Sequence, residues 1–330
     1  ANALALDAVI VNSQDWQDVY SMEIYQHLVG GDIHYIVEES QGLDLINENV
    51  INPQDKKILL MESKDRPFVK GYQSKLEDKG FEVEKLSSAR AKDTNLLLTQ
   101  KIIDQKDISG FIIVDGDLGY SAVSVISYAL LTISPVIFAD KENIDEVYDL
   151  ISKNKNKEII LYGHVDREVK NILQEFNPKI IDNGDRYKDN IEMVKLFQEK
   201  SPKKMVYMTN GEFLEDGLFT PEFPLLFVGT TNIPPQVFDF IKKSSFTTGM
   251  VIGYDIFGNA LQLRKDTGLN IYLKHAQGRK GELYALNIFP IPSYKPTIKV
   301  EAVRYNAATK KLEVTFRNTG DIYTYVQTLK

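Results

Sequence analysis

The 330 residues carry 39 Lys and Arg against 46 Asp and Glu, a net charge of −7, with 43% hydrophobic and 26% charged residues. That balance can fill globular cores and argues against a nucleic-acid binder, since phosphate contacts require clustered cations. Cysteine is absent, which excludes disulfides, thiolate metal sites and cysteine nucleophiles.

A chain of this length predicts roughly two to four domains. It opens Ala1-Asn2-Ala3 without an initiator Met, the pattern that signal cleavage at small residues leaves and that an artificial start would also give. Aliphatic runs separated by helical patterns then predict buried parallel strands. The first set is Asp7 to Asn12, Ile33 to Glu38, Lys57 to Glu62 and Phe81 to Leu86. The second is Gly110 to Asp115, Pro135 to Asp140, Glu158 to Tyr162 and Lys179 to Ile181. The third is Lys204 to Thr209, Pro224 to Val228, Thr248 to Ile252 and Gly268 to Leu273. The longest apolar stretch, Val123 to Ala139, is interrupted by Ser residues and Pro135. It reads as a buried helix followed by a strand, not as a membrane span.

The three sets share one plan: strand, acidic loop, helix, strand, helix, strand, helix, short strand. They recur roughly every 90 to 100 residues, the spacing of duplicated domains. Ala8-Val9-Ile10-Val11-Asn12 matches Phe111-Ile112-Ile113-Val114-Asp115 and Met205-Val206-Tyr207-Met208-Thr209, and Ser88 to Asn95 mirrors Gly184 to Asn190 with Arg90 set against Arg186. The third copy is degenerate, with Gly278-Arg279-Lys280-Gly281 as its nearest equivalent. The expected domains are 1–103, 104–200 and 201–291. Pro292 and Pro296 mark a linker, after which period-two strands at Thr297 to Tyr305, Lys311 to Asn318 and Ile322 to Leu329 predict the start of a β-sandwich over 292–330. Asn318-Thr319-Gly320-Asp321 reads as a hairpin turn. The fold class expected is α/β, with three tandem flavodoxin-like (Toprim- or Rossmann-like) repeats and a partial, truncated β-sandwich.

Three residue groups resemble the cell-wall-binding repeat (type 2) family of clostridial surface-layer and envelope proteins and some archaeal surface proteins. They are Asp15-Trp16-Gln17-Asp18-Val19-Tyr20-Ser21 at a helix start, the second strands around Pro135 and Pro224, and Ile159 to Gly163 leading to Gly184-Asp185-Arg186-Tyr187. The first copy has Ala91 where the family has Tyr, and the third keeps few of these landmarks. The segment from Glu282 to Gly320 also resembles β-domains appended to archaeal surface-layer proteins. The resemblance implies three tandem copies acting as an envelope scaffold, with an envelope glycopolymer as the ligand class.

Arg90 with Asp93, and Arg186 with Asp189, stand three residues apart at helix starts, where they can pair and lock a repeat, or contact a ligand. Asp115-Gly116-Asp117 follows a buried strand. Paired carboxylates there could hold Mg²⁺ or Mn²⁺ against a nucleotide diphosphate, but the same tripeptide is a common turn and helix cap. Trp16, the single tryptophan, reads as packing at a helix start more than as a sugar platform. His27, His34, His164 and His275 lack ligand spacing, and no phosphate-binding Gly motif occurs. We therefore expect a secreted, extracellular, non-enzymatic surface-layer or envelope module that works by self-association, by contacts with other envelope proteins, or by binding glycopolymer. The candidate polymer or ion contacts are Asp15, Trp16, Asp18, Asp115, Asp117 and the loop at Gly211-Glu212, in clefts between copies. No cofactor is expected, and Ca²⁺ at the acidic loops is the ion that a surface protein of this kind would hold. The rivals are a metal-dependent carbohydrate-active or nucleotide-sugar enzyme using Asp115 and Asp117, and an extracellular solute-binding protein.

Overall fold

The computed structural model describes residues 8–47, 51, 57–230, 232–253, 256–274, 276–277, 283–284, 288–292 and 297–319. The expected strand at Ile322 to Leu329, the turn at Gly320-Asp321, His275 and the landmark at Gly278 to Gly281 lie outside these residues.

In the first lobe, β1 (Ala8–Asn12), α1 (Trp16–Val29), β2 (Asp32–Tyr35), α2 (Glu39–Asn47), β3 (Lys57–Glu62), α3 (Tyr72–Glu77) and β4 (Glu82–Leu86) lead into α4 (Ala91–Gln105). The second repeats the plan: β5 (Gly110–Val114), α5 (Gly119–Thr132), β6 (Val136–Phe138), α6 (Ile144–Ser152), β7 (Glu158–Tyr162), α7 (Arg167–Leu173), β8 (Lys179–Ile181) and α8 (Arg186–Lys200). The third holds β9 (Met205–Thr209), β10 (Phe213–Leu214), β11 (Leu225–Phe227), α9 (Pro235–Lys243), β12 (Thr248–Ile252), α10 (Phe257–Thr267) and β13 (Asn270–Lys274). Each lobe has one parallel four-stranded sheet, in the orders β2-β1-β3-β4, β6-β5-β7-β8 and β11-β9-β12-β13. This is the flavodoxin-type order, and the class is α/β as the alternating strands and helices imply.

Why these runs become central strands is visible in their burial. All five residues of β1 and of β5 are buried, as parallel strands covered on both faces must be. Ten of the fourteen residues of α1 and eleven of the fourteen of α5 are buried too. Neither helix has a wide polar face, so both are covered on most sides within the first compact unit. The apolar stretch from Val123 ends in α5 and β6, as expected of a buried helix and strand. No helix among the described residues is long and apolar enough to cross a membrane.

The third lobe departs from the expected plan. Where α1 and α5 follow the first strands of the earlier lobes, it has β10 and a short 3₁₀ turn at Asp216–Leu218. Gly211, held at φ +77°, starts the departure. β10 then pairs antiparallel with β16 (Phe289–Pro290), which follows the short pair β14 (Ala276–Gln277) and β15 (Leu283–Tyr284). This return carries Phe289 against Tyr35 and Phe68 of the first lobe, closing the circle of three lobes.

One recurring side chain joins successive lobes. Asn95 on α4 donates to the Val136 carbonyl at 2.9 Å and accepts from the Phe138 amide at 3.1 Å, bracketing the edge strand β6. Asn190 on α8 does the same to β11, donating to Leu225 at 3.0 Å and accepting from Phe227 at 2.7 Å. Each also donates to a serine of the central helix in its own lobe, Ser21 or Ser124. A primary amide can complete an edge strand in this way because its oxygen and one of its two N–H donors mimic a peptide unit, leaving the second N–H for the serine.

The described residues up to Ile291 make one compact unit and those from Pro292 a second. The second consists of the antiparallel pair β17 (Ile298–Asn306) and β18 (Lys311–Asn318), with a bulge between Val300 and Ala302. Among the described residues the expected β-sandwich is this hairpin alone.

Candidate functional site

The C-terminal ends of the strands in the first two lobes meet in a polar cleft of about 310 Å³. The loop after β1 supplies Asp15 and the first turn of α1 supplies Gln17 and Asp18, while the loop after β3 supplies Ser63, Asp65 and Arg66. From the start of α4 come Ser88, Arg90 and Lys92, and from the second lobe Asp117, Phe138 and Asp140. Asp15 caps α1 by accepting from the Gln17 amide at 3.0 Å, and its other oxygen takes the Arg66 guanidinium at 3.0 Å. Gln17 in turn donates across the junction to the Gly116 carbonyl at 2.8 Å. Lys92 crosses as well, reaching Asp140 and Glu142 at 2.7 Å each. Asp18 is only 2% exposed, and burial pushes its carboxyl up to about 7 although the Ser13 hydroxyl donates to it at 2.7 Å.

The structure thus brings Asp15, Asp18, Arg90 and Asp117 onto one cleft and leaves Trp16 and Asp115 out of it. Trp16 is 7% exposed and packs edge-on against Phe138 and Tyr20, so it is a core residue of the junction, not a platform for sugar. Asp115 is buried and accepts from the Asp117 amide at 2.8 Å, and burial pushes its carboxyl up to about 6. Equivalent strand-end bonds, from Ile36, Ala139 and Val228 to the carbonyls of Val11, Val114 and Thr209, put Asn12 and Asn210 in the position of Asp115. The third match is therefore shifted by one residue, with Asn210 and not Thr209 opposite Asp115. Asn210 makes the same turn, accepting from the Glu212 amide at 3.1 Å. An amide that does the same job marks the position as a turn former.

Of the two expected Arg–Asp pairs, one forms. Arg90 pairs with Asp93 at 2.6 Å and also lies 3.9 Å from Glu142 of the second lobe. Arg186 does not pair with Asp189. It lies over the Tyr120 and Tyr187 rings and 3.9 Å from Glu212 of the third lobe, while Asp189 accepts from the Asn183 amide at 2.6 Å. The reason is register. α4 and α8 are both 15 residues long, with Arg90 and Asp185 as their respective N-caps, so Arg186 corresponds to Ala91 and not to Arg90.

A second group was not legible in the sequence. Glu23 and His27 of α1 meet Asp216 of the third lobe, with ligand-type atoms all within 4.8 Å of one another. Glu23 and His27 are one helical turn apart, but Asp216 joins them only through the fold. Among the described residues this is the one such grouping, and Asp115 and Asp117 are not in it.

No protein-family model matches the chain, and no curated protein matches it. Among solved structures it is similar to Cwp8 from Clostridium difficile, with 18% identity and a TM-score of 0.62 over 80% of this chain and 48% of that one. It is likewise similar to Cwp6 from Clostridium difficile, with 16% identity and a TM-score of 0.61 over 81% of this chain and 44% of that one. The chain spans less than half the length of either, and what it shares with both is the fold.

Proposed function

We propose that this chain is a non-enzymatic module of a cell-surface protein, and that the cleft between its first and second lobes holds an envelope glycopolymer. The observation that carries the reading is the cleft itself. Carboxylates of Asp15, Asp65 and Asp117, the Arg90 guanidinium and the Lys92 ammonium converge there, at the strand ends where α/β proteins take ligands. Such a surface matches a polymer rich in hydroxyl groups, which donate to carboxylates and accept from cations. The neighbours of like fold, Cwp6 and Cwp8, are clostridial cell wall proteins, which supports an extracellular, surface-associated role. The resemblance of Asp15 to Ser21 and of Gly184 to Tyr187 to the cell-wall-binding repeat supports the same reading. Assembly into a surface layer, through contacts with further copies or with other envelope proteins, belongs to this proposal.

The test is co-sedimentation of the full chain with isolated cell-wall sacculi, before and after extraction of their secondary glycopolymers. Wild type should pellet with intact sacculi and not with extracted ones. Arg90→Ala, and Asp65→Ala with Asp117→Ala, alter exposed cleft residues and should weaken binding at least about tenfold, whereas Lys195→Ala on α8 should not. Equal pelleting of all variants with both preparations would overturn the assignment.

A further inference from the structure

Helix α1 buries a carboxylate that its surroundings do not satisfy. Glu23 is 0% exposed, and neither of its side-chain oxygens has a hydrogen-bond partner. An unpaired carboxylate is among the costliest groups to remove from water, so such a group is paired, protonated or bound to a metal. One turn along, the His27 ring places Nδ1 3.0 Å from the Glu23 main-chain oxygen and 3.6 Å from Glu23 Oε2. Across the junction, Asp216 brings Oδ1 to 4.0 Å from His27 Nε2.

We propose that Glu23, His27 and Asp216 bind a divalent transition-metal ion, with Zn²⁺ the best-fitting species, and that the ion ties the first lobe to the third. Donation from His27 Nδ1 to the Glu23 carbonyl fixes the tautomer that leaves the Nε2 lone pair for a metal. Stacking on Phe219, with centroids 5.8 Å apart, holds the ring in that orientation. One imidazole and two carboxylates form a mixed N/O donor set, which suits Zn²⁺; Ca²⁺ takes six to eight oxygens. Bonds of about 2.0 to 2.2 Å on a tetrahedral ion put ligand atoms about 3.4 Å apart, somewhat closer than the spread here. Asp216 can supply the movement, since its side chain is 63% exposed, and that exposed side gives an ion its way in. Beside the group, Glu215 gives one oxygen to Lys274 at 2.8 Å and leaves the other without a partner, adding negative potential.

The location gives the ion a structural task. The first-to-second and second-to-third junctions are held by Asn95 and Asn190. The third-to-first junction has no such asparagine bracket among the described residues, and it is there that these three ligand-type side chains meet.

The test uses the full chain, stripped with EDTA and dialysed against ZnCl₂, with bound metal counted by mass spectrometry and the melting temperature followed in parallel. Wild type should take up one Zn²⁺ that excess Ca²⁺ does not displace, and its melting temperature should rise. Glu23→Gln, which keeps the shape and removes the charge, should bind at least about a hundredfold more weakly, and Zn²⁺ should not raise its melting temperature. His27→Ala and Asp216→Asn change partly exposed side chains and carry the test even if the buried variant fails to fold. Zn²⁺ uptake unchanged in these variants, no uptake by wild type, or preference for Ca²⁺ would each overturn the proposal.

Discussion

Replacing Asn95 by alanine tests how the lobes are joined. Asn95 is 3% exposed, and the strand residues it brackets, Val136 and Phe138, are 2% and 1% exposed. Truncation leaves the Val136 carbonyl and the Phe138 amide buried without partners. Each such orphan costs about 1–3 kcal/mol, so the pair predicts a loss of about 2–6 kcal/mol. Guanidinium unfolding followed by Trp16 emission suits the question, because Trp16 lies 5.4 Å, centroid to centroid, from the Phe138 ring at the same junction. Asn190→Ala should lose a similar amount, read by circular dichroism. Gln100→Ala, an exposed change on the same helix, should stay within about 0.5 kcal/mol of wild type. A loss below about 1 kcal/mol for Asn95→Ala would refute the bracket as the element that joins the lobes.

Burial lifts the folded-state value for Asp18 from 3.8 to about 7, so between those values the folded chain keeps a proton that the unfolded chain has released. Stability from this group therefore falls as pH rises through that window, by at most about 4 kcal/mol. Asp18→Asn cannot ionise and can still accept from Ser13. It should be more stable than wild type near about pH 8, with the gain shrinking towards about pH 4, and parallel pH profiles would contradict this. A Cβ at Gly110 would stand 2.3 Å from the Glu158 main-chain oxygen across β5 and β7. Gly110→Ala should thus lower the unfolding midpoint by the equivalent of about 1–3 kcal/mol, and an unchanged midpoint would show that the strands can separate at no cost. Trp16→Ala, which removes the single tryptophan, should cost about 3–5 kcal/mol in guanidinium unfolding read by circular dichroism. The milder Trp16→Phe should leave sacculus binding unchanged, and lost binding would restore the residue as a ligand contact.

What the sequence revealed was whatever local pattern controls. Glu158–Tyr162, Lys179–Ile181, Thr248–Ile252 and Lys311–Asn318 are strands with the expected ends, because apolar runs bounded by turn residues have one comfortable conformation. The repeat was legible for the same reason, while its register was not. Matching Arg90 to Arg186 aligned two like charges, whereas the helix caps align Arg90 with Asp185. The missing third helix was hidden because Phe213-Leu214 gains its order from Phe289-Pro290, far along the chain. Asn95 and Asn190 lay within the quoted repeat motifs, but their strand partners are set by tertiary packing. Of the candidate contacts, Asp15, Asp18 and Asp117 reached the cleft as strand-end loop residues do, and Trp16 was drawn inward by its apolar area.

Hydrogen–deuterium exchange with and without purified envelope glycopolymer tests the central claim most directly, since it locates the contact. The account predicts slowed exchange at Asp15 to Asp18, Ser63 to Arg66, Ser88 to Lys92 and Gly116-Asp117, the segments that line the cleft. Protection confined to the outer strands β4, β8 or β13, or to the β17–β18 hairpin, would contradict it.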